Sequence, residues 1–240
     1  MRVIVASNYD EMSEQAAALF AELVAENPTA TVLPATGNTP MGMYRALAQR
    51  AGSGDLDASQ LRVFQLDEYC GLGQDDYRSL FGWTQRSFIE PLGISPANVT
   101  RLPGDAANPD AACASYEQKI VESGGIDIAI LGLGPNGHLG FNEPPSDRHD
   151  PTRLVSLTPE SIVSNGPYWG GEDRVPRQAV TAGMTVILAA KTILLVVSGK
   201  NKRAILKETL QGPITPVVPS SFLQQAADVT VLTDQDAYRF

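Results

Sequence analysis

Short apolar runs alternate with stretches of helical periodicity along the whole chain. Continuous apolar runs rich in β-branched residues are typical of parallel strands that are buried on both faces. The runs that predict strands are Val3–Ala6, Ala30–Pro34, Leu61–Leu66, Val99–Leu102, Ile126–Leu131, Thr192–Val197 and Val229–Leu232. Periodicity between them predicts helices after Asn8 or Asp10 and at Met41–Arg50, Tyr77–Ile89, Ala106–Ser123 and Lys200–Leu210. This alternation predicts a single α/β domain over residues 1–240. Its three layers are a mostly parallel, Rossmann-like sheet with helices on both faces.

One segment breaks this pattern. Residues 144–177 are rich in Pro, Gly, Ser, Asp and Arg and show little periodicity. A stretch of this length inside a compact domain is usually functional or mobile. We therefore expect residues 144–177 to form a mobile lid within the domain.

A glycine-rich loop, Leu131–Glu143, follows the strand predicted at Ile126–Leu131. Its glycines free the backbone for turns and for close approach to a ligand. Asn136, His138 and Glu143 lie between them, beyond a strand end, which is where open α/β sheets bind ligands. A single histidine is more often structural than catalytic, but a carboxylate that orients an imidazole is a recurring acid–base arrangement. Asn136 is either a third member of such a relay or an amide that orients it.

An acidic pair, Asp67-Glu68, follows the strand predicted at Leu61–Leu66. Adjacent side chains point in different directions, so we expect only one of them to face a site, and a solvated loop acid is the alternative. A carboxylate held beside a pocket can remove a proton next to a carbonyl group. Asp67, His138 and Glu143 could together hold a metal ion, but no spacing typical of metal ligands supports this, and no metal is predicted.

Two segments between a predicted strand and a helix are suited to bind an anion. Thr36–Thr39 precedes the helix that Pro40 opens, and helix N-termini expose unpaired N–H groups with a partial positive charge. An ordinary turn is the alternative. Ser198–Lys202 repeats this plan and adds Lys200 and Lys202, one of which we expect at the surface. Two such segments beside carboxylates and a histidine predict a small phosphorylated substrate.

The composition limits the classes of partner. With 18 basic and 27 acidic residues the net charge is −9, which argues against nucleic acid or an anionic membrane as the main partner. No apolar run approaches the length of a membrane span. Cys70 and Cys113 have no metal or redox spacing, and the N-terminus does not resemble a signal peptide, so a disulfide is not expected. We expect a soluble cytoplasmic protein.

Taken in order, these motifs resemble those of the glucosamine-6-phosphate deaminase (isomerase) family. The similar segments extend over almost the whole chain and are Leu33–Gly42, Phe64–Leu72, Gly132–Pro144 and Ser198–Lys202. The related 6-phosphogluconolactonases share the fold and the start of the third motif. They lack its Phe-Asn-Glu-Pro continuation, so Glu143 is the residue that discriminates between the two groups.

The resemblance implies a reaction without metal or cofactor in which D-glucosamine 6-phosphate and water give D-fructose 6-phosphate and ammonia. It implies that Asp67 moves a proton between C2 and C1 of the open-chain sugar. His138, oriented by Glu143 and with Asn136 as the third member of the relay, would assist opening of the sugar ring at O5. The implied phosphate-binding residues are Thr36, Gly37, Asn38, Thr39 and Lys202. The alternatives are a lactonase-like hydrolase, a galactosamine-6-phosphate deaminase and a non-catalytic sugar-phosphate sensor of the same fold.

The chain departs from the family pattern in two places. Gly166-Pro167 stands where the family lid has Ser-Arg, whose arginine clamps the phosphate. Arg174 or Arg177 could replace that arginine, and otherwise the substrate is a different amino sugar phosphate or one without phosphate. We expect deaminase activity to persist with a raised KM.

The second departure concerns regulation. Larger members are activated hexamers that use basic residues after the Asn-Glu-Pro motif. Arg153 is retained at one such position, but Val155 stands where a lysine is expected. We expect hyperbolic, unregulated kinetics, and the sequence leaves open whether the chain is a monomer or a homo-oligomer.

Overall fold

A parallel sheet of seven strands forms the centre of the computed structural model, which describes residues 1–240. The strands of the molecule are β1 (Arg2–Ala6), β2 (Thr31–Leu33), β3 (Arg62–Phe64), β4 (Asp67–Tyr69), β5 (Val99–Thr100), β6 (Ile128–Leu131), β7 (Arg153–Ser156), β8 (Gln178–Thr181), β9 (Thr192–Val197) and β10 (Val229–Asp234). The helices are α1 (Tyr9–Glu26), α2 (Met41–Ser53), α3 (Leu80–Thr84), α4 (Pro109–Glu122), α5 (Pro159–Trp169), α6 (Met184–Leu188), α7 (Arg203–Gln211) and α8 (Gln235–Tyr238). The predicted α/β architecture is confirmed.

The central sheet has a switch point in its middle. Its strand order is β1-β10-β9-β6-β2-β3-β5, and every neighbouring pair is parallel. The chain runs from β2 to one edge and later from β6 towards the other edge. β2 and β6 are neighbours, with Leu33 paired to Ala129. The loops that follow these two strands diverge, and such a crevice is where open α/β sheets bind ligands.

A second sheet of three antiparallel strands, in the order β4-β8-β7, was not predicted. The expectation that one strand extends over Leu61–Leu66 and leads into a loop is wrong. β3 ends at Phe64, and Asp67 begins β4 opposite Thr181 of β8. No apolar run marks β4, because two of its three residues are acidic.

Residues 144–177 are more regular than their composition indicated, because they contain β7 and α5. Thr158 caps α5 by accepting a hydrogen bond from the N–H of Ser161, and Pro159 occupies the first turn, where its missing N–H is tolerated. The helix ends at Gly170, whose φ is 70°. Only Ser161 and Gly166 of this helix are buried, so no apolar face reveals it in the sequence.

Capping residues set where the helices begin, and two of the helices begin later than predicted. Asn8 caps α1 by accepting the N–H of Glu11. The helix expected at Tyr77 begins at Leu80, and the helix expected at Ala106 begins only at Pro109. No helix in the structure combines the length and the apolar character that crossing a membrane requires.

Apolar side chains pack against both faces of the central sheet. Phe20 of α1 and Leu47 of α2 cover one face, and Tyr116 of α4 lies on the other. Each such large buried side chain contributes roughly 1.5–3 kcal/mol to stability. A smaller cluster that includes Tyr69 of β4 and Phe141 of the loop after β6 joins the second sheet to that loop. This cluster brings Asp67, the first residue of β4, to the switch point.

Candidate active site

A pocket of about 340 Å³ lies at the carboxyl ends of β2 and β6. One wall follows β2, a second is β4 with the residue before it, and a third is the glycine-rich loop after β6. The remaining wall comes from α5 and from the segment around α3, through Tyr77, Arg78, Leu80, Trp83, Arg86, Ser164, Asn165, Tyr168 and Trp169. The pocket has the size of a small-molecule site and lies where the strand order predicts one.

The wall after β2 consists of the predicted anion-binding residues Thr36, Gly37, Asn38 and Thr39. Gly37 has a φ of 90°, which L side chains rarely adopt, so the turn requires glycine. Tyr9 of α1 supports the turn: its hydroxyl lies 3.2 Å from the carbonyl oxygen of Asn38 and accepts the N–H of Gly42 at 2.8 Å. Sequence reasoning missed Tyr9, because nothing local links it to a loop so far along the chain.

Lys202 reaches the same pocket, whereas Lys200 is exposed outside it. The Lys202 ammonium donates a hydrogen bond to the carbonyl oxygen of Leu133 at 2.6 Å. Burial lowers the pKa of Lys202 from its ordinary value. A partly buried ammonium that lines the same pocket as the Thr36–Thr39 loop forms a site suited to an anion such as phosphate.

Asp67 faces the pocket and is 5% exposed. Its Oδ1 atom has no hydrogen-bond partner in the protein. Burial, with a smaller contribution from the negative charge of Glu68, raises the pKa of Asp67 to about 8. A carboxyl group with such a pKa can both accept and donate a proton near neutral pH.

Glu68 turns away from the pocket, so only one carboxylate of the acidic pair faces it. It accepts hydrogen bonds from the N–H groups of Tyr69, Leu80 and Phe81 and from the side chain of Gln65. Burial raises the pKa of Glu68, and these hydrogen bonds act in the opposite direction. Glu68 therefore holds the start of α3 against β4.

His138 lines the pocket, and Glu143 lies behind it. The Nδ1 atom of His138 is 3.2 Å from Oε2 of Glu143. Burial alone raises the pKa of Glu143, but hydrogen bonds from His138, Ser161 and Asn136 and the charge of the imidazole bring it down to about 2. Glu143 is therefore a carboxylate at neutral pH, suited to hold the imidazole and to stabilise its protonated form.

Gly134 and Asn136 fix this pair in different ways. A Cβ atom on Gly134 would lie 2.2 Å from ring atoms of His138, so the imidazole requires glycine beneath it. Asn136 does not line the pocket. Its side-chain amide donates to Oε2 of Glu143 at 2.9 Å and faces Oγ1 of Thr158 at 3.3 Å. Of the two interpretations of Asn136, its contacts are those of an amide that orients Glu143.

The arginines at the pocket are not those expected from the sequence. Arg174 and Arg177 are exposed, and neither lines the pocket, so the expectation that one of them replaces the missing lid arginine is wrong. Arg78 and Arg86 line it instead. Arg78 precedes α3 and Arg86 follows it, and the sequence alone does not show that both side chains reach the pocket that the Thr36–Thr39 loop lines.

These two guanidinium groups have different partners. Arg78 pairs with both carboxylate oxygens of Asp76, at 3.0 and 2.8 Å, and lies 5.3 Å from the ring centre of Trp169. Arg86 donates to the carbonyl oxygen of Tyr77 at 2.9 Å and lies 3.9 Å from the centre of its ring. The charge of Arg86 is therefore not balanced by a carboxylate, which leaves it better able to bind an anion.

Aromatic side chains join α5 to the opposite rim of the pocket. Trp169 packs edge-on against Tyr69 at 5.2 Å, and Tyr168 packs edge-on against Trp83 at 5.5 Å. Burial raises the pKa of Tyr168, while the backbone of Asn38, which faces its hydroxyl, lowers it. The end of α5 therefore covers the Thr36–Thr39 loop.

Comparison with known proteins identifies close relatives of full length. The family model of glucosamine-6-phosphate isomerases/6-phosphogluconolactonase matches residues 6–232. A glucosamine-6-phosphate deaminase of Halothermothrix orenii is 43% identical over 99% of this chain and 98% of its own. A glucosamine-6-phosphate deaminase of Thermoanaerobacter pseudethanolicus is 40% identical over 99% of this chain and 94% of its own.

Comparison with solved structures finds a deaminase and lactonases of the same fold. The structure of a monomeric glucosamine-6-phosphate deaminase matches with a TM-score of 0.96 and 37% identity, over 99% of this chain and 98% of that one. The 6-phosphogluconolactonase of Leishmania guyanensis matches with a TM-score of 0.76 and 23% identity, over 98% of this chain and 97% of that one. At that identity the lactonase shares only the fold.

Proposed function

The chain belongs to the family of glucosamine-6-phosphate isomerases and 6-phosphogluconolactonases, and from this we propose that it is a glucosamine-6-phosphate deaminase. The reaction is D-glucosamine 6-phosphate plus water to D-fructose 6-phosphate plus ammonia. Full-length relatives of about 40% identity carry this name, whereas the lactonases match in fold alone. The observation that carries the proposal is the pairing of His138 with Glu143 in the same pocket as the unpartnered carboxyl group of Asp67.

The first chemical step is opening of the pyranose ring. In our proposal, His138 moves the proton that converts the ring oxygen O5 into a hydroxyl group. Glu143 stabilises the imidazolium form that arises during this transfer and keeps the imidazole of His138 oriented. Asn136 in turn orients Glu143 through the hydrogen bond to Oε2 at 2.9 Å.

The second step is isomerisation of the open-chain sugar. Asp67 removes the proton from C2, next to the aldehyde, and returns it to C1, while a proton passes from the C2 amino group to the aldehyde oxygen O1. The product is the imine of fructose 6-phosphate, and water replaces its nitrogen to release ammonia. One group must accept and then donate the proton, and a carboxyl pKa of about 8 is suited to both.

The phosphate is bound, in our proposal, by Thr36, Gly37, Asn38, Thr39 and Lys202. The chain lacks the lid arginine of the family, and we assign its role to the guanidinium groups of Arg86 and, more weakly, Arg78. Both line the same pocket as the Thr36–Thr39 loop, and only Arg86 is free of a carboxylate partner. A charge-assisted contact of this kind contributes about 1.5–3 kcal/mol, enough to restore a lost phosphate contact.

We also propose that residues 144–177 act as a lid. The support is that α5 forms one wall of the pocket and that Tyr168 and Trp169 at its end contact the opposite rim. The free thiols of Cys70 and Cys113 are compatible with a cytoplasmic enzyme.

The test is ammonia release from glucosamine 6-phosphate, galactosamine 6-phosphate and unphosphorylated glucosamine, with Asp67→Asn as the control. Turnover of glucosamine 6-phosphate that the variant lacks would support both the reaction and the base. Preferential turnover of galactosamine 6-phosphate would support the same chemistry on the C4 epimer. Ammonia from none of the three sugars would rule out the proposal and favour a lactonase or a sensor.

A further inference from the structure

The first turn of α5 packs behind the imidazole of His138. Ser161 is fully buried, and its Oγ atom lies 3.3 Å from Nδ1 of His138. Thr158 donates a hydrogen bond to Oε2 of Glu143 at 3.2 Å and accepts the N–H of Ser161 at 3.3 Å. Neither side chain lines the pocket. Two hydroxyl groups of one helical turn therefore contact both members of the pair on the side away from the substrate.

These contacts decide which nitrogen of His138 carries its proton. A carboxylate only accepts hydrogen bonds, so the neutral imidazole beside Glu143 keeps its proton on Nδ1. The hydroxyl of Ser161 lies next to the same nitrogen and restricts rotation of the ring. Nε2 is then left without a proton and available to the substrate.

Resting on the proposed function, we propose that Ser161 is a positioning residue for His138 and that Thr158 is the corresponding residue for Glu143. Ser161 restricts rotation of the imidazole, so that Nδ1 stays beside the Glu143 carboxylate, which fixes the proton there, and Nε2 is left to accept the substrate proton. Thr158 keeps the Glu143 carboxylate directed at Nδ1.

The helix α5 connects the His138–Glu143 pair, which its first turn contacts, to the pocket wall at its other end. α5 also contributes Tyr168 and Trp169 to the pocket. A displacement of α5 that opens the pocket would therefore separate Ser161 from His138 at the same time. The contacts that position His138 are therefore complete only when α5 lies against the pocket.

The kinetic test is Ser161→Ala, with Ser123→Ala as the matched control. Ser123 donates from its hydroxyl to the carbonyl oxygen of Ile120 at the end of α4, away from the pocket. We expect kcat of Ser161→Ala to fall roughly tenfold with KM changed less than about twofold, because the lost contact orients a reacting group and binds no substrate. The control should keep the wild-type kcat. Equal losses in both variants, or a loss confined to KM, would overturn the assignment.

The spectroscopic test does not depend on activity. The chain has only two histidines, and exposed His149 serves as an internal reference for nitrogen-15 NMR of His138. We expect the Nδ1–H tautomer in the wild type and a mixture of tautomers in Ser161→Ala. An unchanged tautomer would overturn the positioning role even in an active enzyme. If the wild type released no ammonia, the proposed function would fail, while the tautomer measurement would still decide the role of Ser161.

A second variant covers the case in which Ser161→Ala does not fold. Ser161→Cys keeps the size of the side chain and replaces the hydroxyl by a weak hydrogen-bonding thiol. We expect kcat to fall less than the roughly tenfold expected for Ser161→Ala, and we expect a smaller fraction of the second tautomer. A wild-type kcat and tautomer in Ser161→Cys would contradict the proposal.

Discussion

Nδ1 of His138 lies 3.2 Å from Oε2 of Glu143, and of these two side chains only the imidazole lines the pocket. In the proposed mechanism the carboxylate therefore acts on the substrate only through the histidine. Its hydrogen bonds from the imidazole, Ser161 and Asn136 outweigh the effect of burial and hold its pKa at about 2.

Replacing Glu143 by glutamine tests this relationship. The variant keeps the shape but loses the charge that stabilises the imidazolium form. We expect kcat to fall roughly 10–100-fold with a smaller change in KM, the range expected for a charge-assisted hydrogen bond. Steady-state kinetics with glucosamine 6-phosphate measure this. A kcat within about twofold of the wild type would show that the carboxylate is not needed.

The pH dependence of kcat/KM should report Asp67. The base is active only as a carboxylate, and burial and the charge of Glu68 raise its pKa to about 8. We therefore expect kcat/KM to rise with pH up to this value and then to level off until another group titrates. An acid limb near the ordinary carboxyl pKa of about 4 would show that the pKa of the base is not raised in the free enzyme, contrary to the burial of Asp67.

Replacing Asp67 by asparagine should abolish turnover and stabilise the fold. Between its ordinary pKa and about 8 the native carboxyl group keeps its proton while the unfolded one has lost it. The unfolded state then binds fewer protons, so stability falls as pH rises through this range. The variant lacks this effect, and we expect its Tm to exceed that of the wild type by roughly 2–8 °C at neutral pH.

The measurement is the Tm of the wild type and of Asp67→Asn, determined by calorimetry across this pH range. The difference in Tm should shrink as the solution is acidified towards the ordinary aspartate pKa, because both states then hold the proton. A lower Tm for Asp67→Asn at neutral pH would mean that the buried carboxyl group is stabilising, contrary to its surroundings.

Replacing Arg86 by glutamine tests the phosphate assignment. We expect KM for glucosamine 6-phosphate to rise roughly 10–100-fold with kcat little changed, because the guanidinium binds a group remote from the reacting carbons. Arg78→Gln should have a smaller effect, since Asp76 already pairs with that charge. Arg177→Gln is the matched control, because Arg177 is exposed outside the pocket. An equal change of KM in the control would contradict the assignment of Arg86 to the phosphate site.

The rate should depend hyperbolically on substrate concentration. Arg153, the residue at the one retained basic position, donates to Asn142 and Ser146 at 2.8 Å each and pairs with Asp150 at 3.0 Å. Its guanidinium is therefore already engaged within the chain and is not free to bind an effector. Initial rates with and without N-acetylglucosamine 6-phosphate test this expectation. Sigmoidal curves that the effector relaxes would contradict it.

The part of the fold that the sequence predicted is the part made by local patterns. The central strands are continuous apolar runs, and the helices between them have an apolar face or a clear cap such as Asn8. The second sheet lacks such signals, because β4 carries Asp67 and Glu68 and gains its partner only from β8. Strand pairing of this kind depends on residues more than a hundred positions apart and cannot be predicted from the local sequence.

The sequence alone placed the loops of the site at one edge of the sheet, since parallel strands end at the same edge and Thr36, His138 and Lys202 all follow predicted strands. Only the tertiary structure decided which neighbouring groups act with them. It turned Asp67 to the pocket and Glu68 into the core, brought Tyr9 behind the Thr36–Thr39 loop, and placed Arg86 rather than Arg174 at the pocket. The physical reason is that orientation, burial and hence pKa depend on contacts between distant segments, and these exist only once the chain is packed.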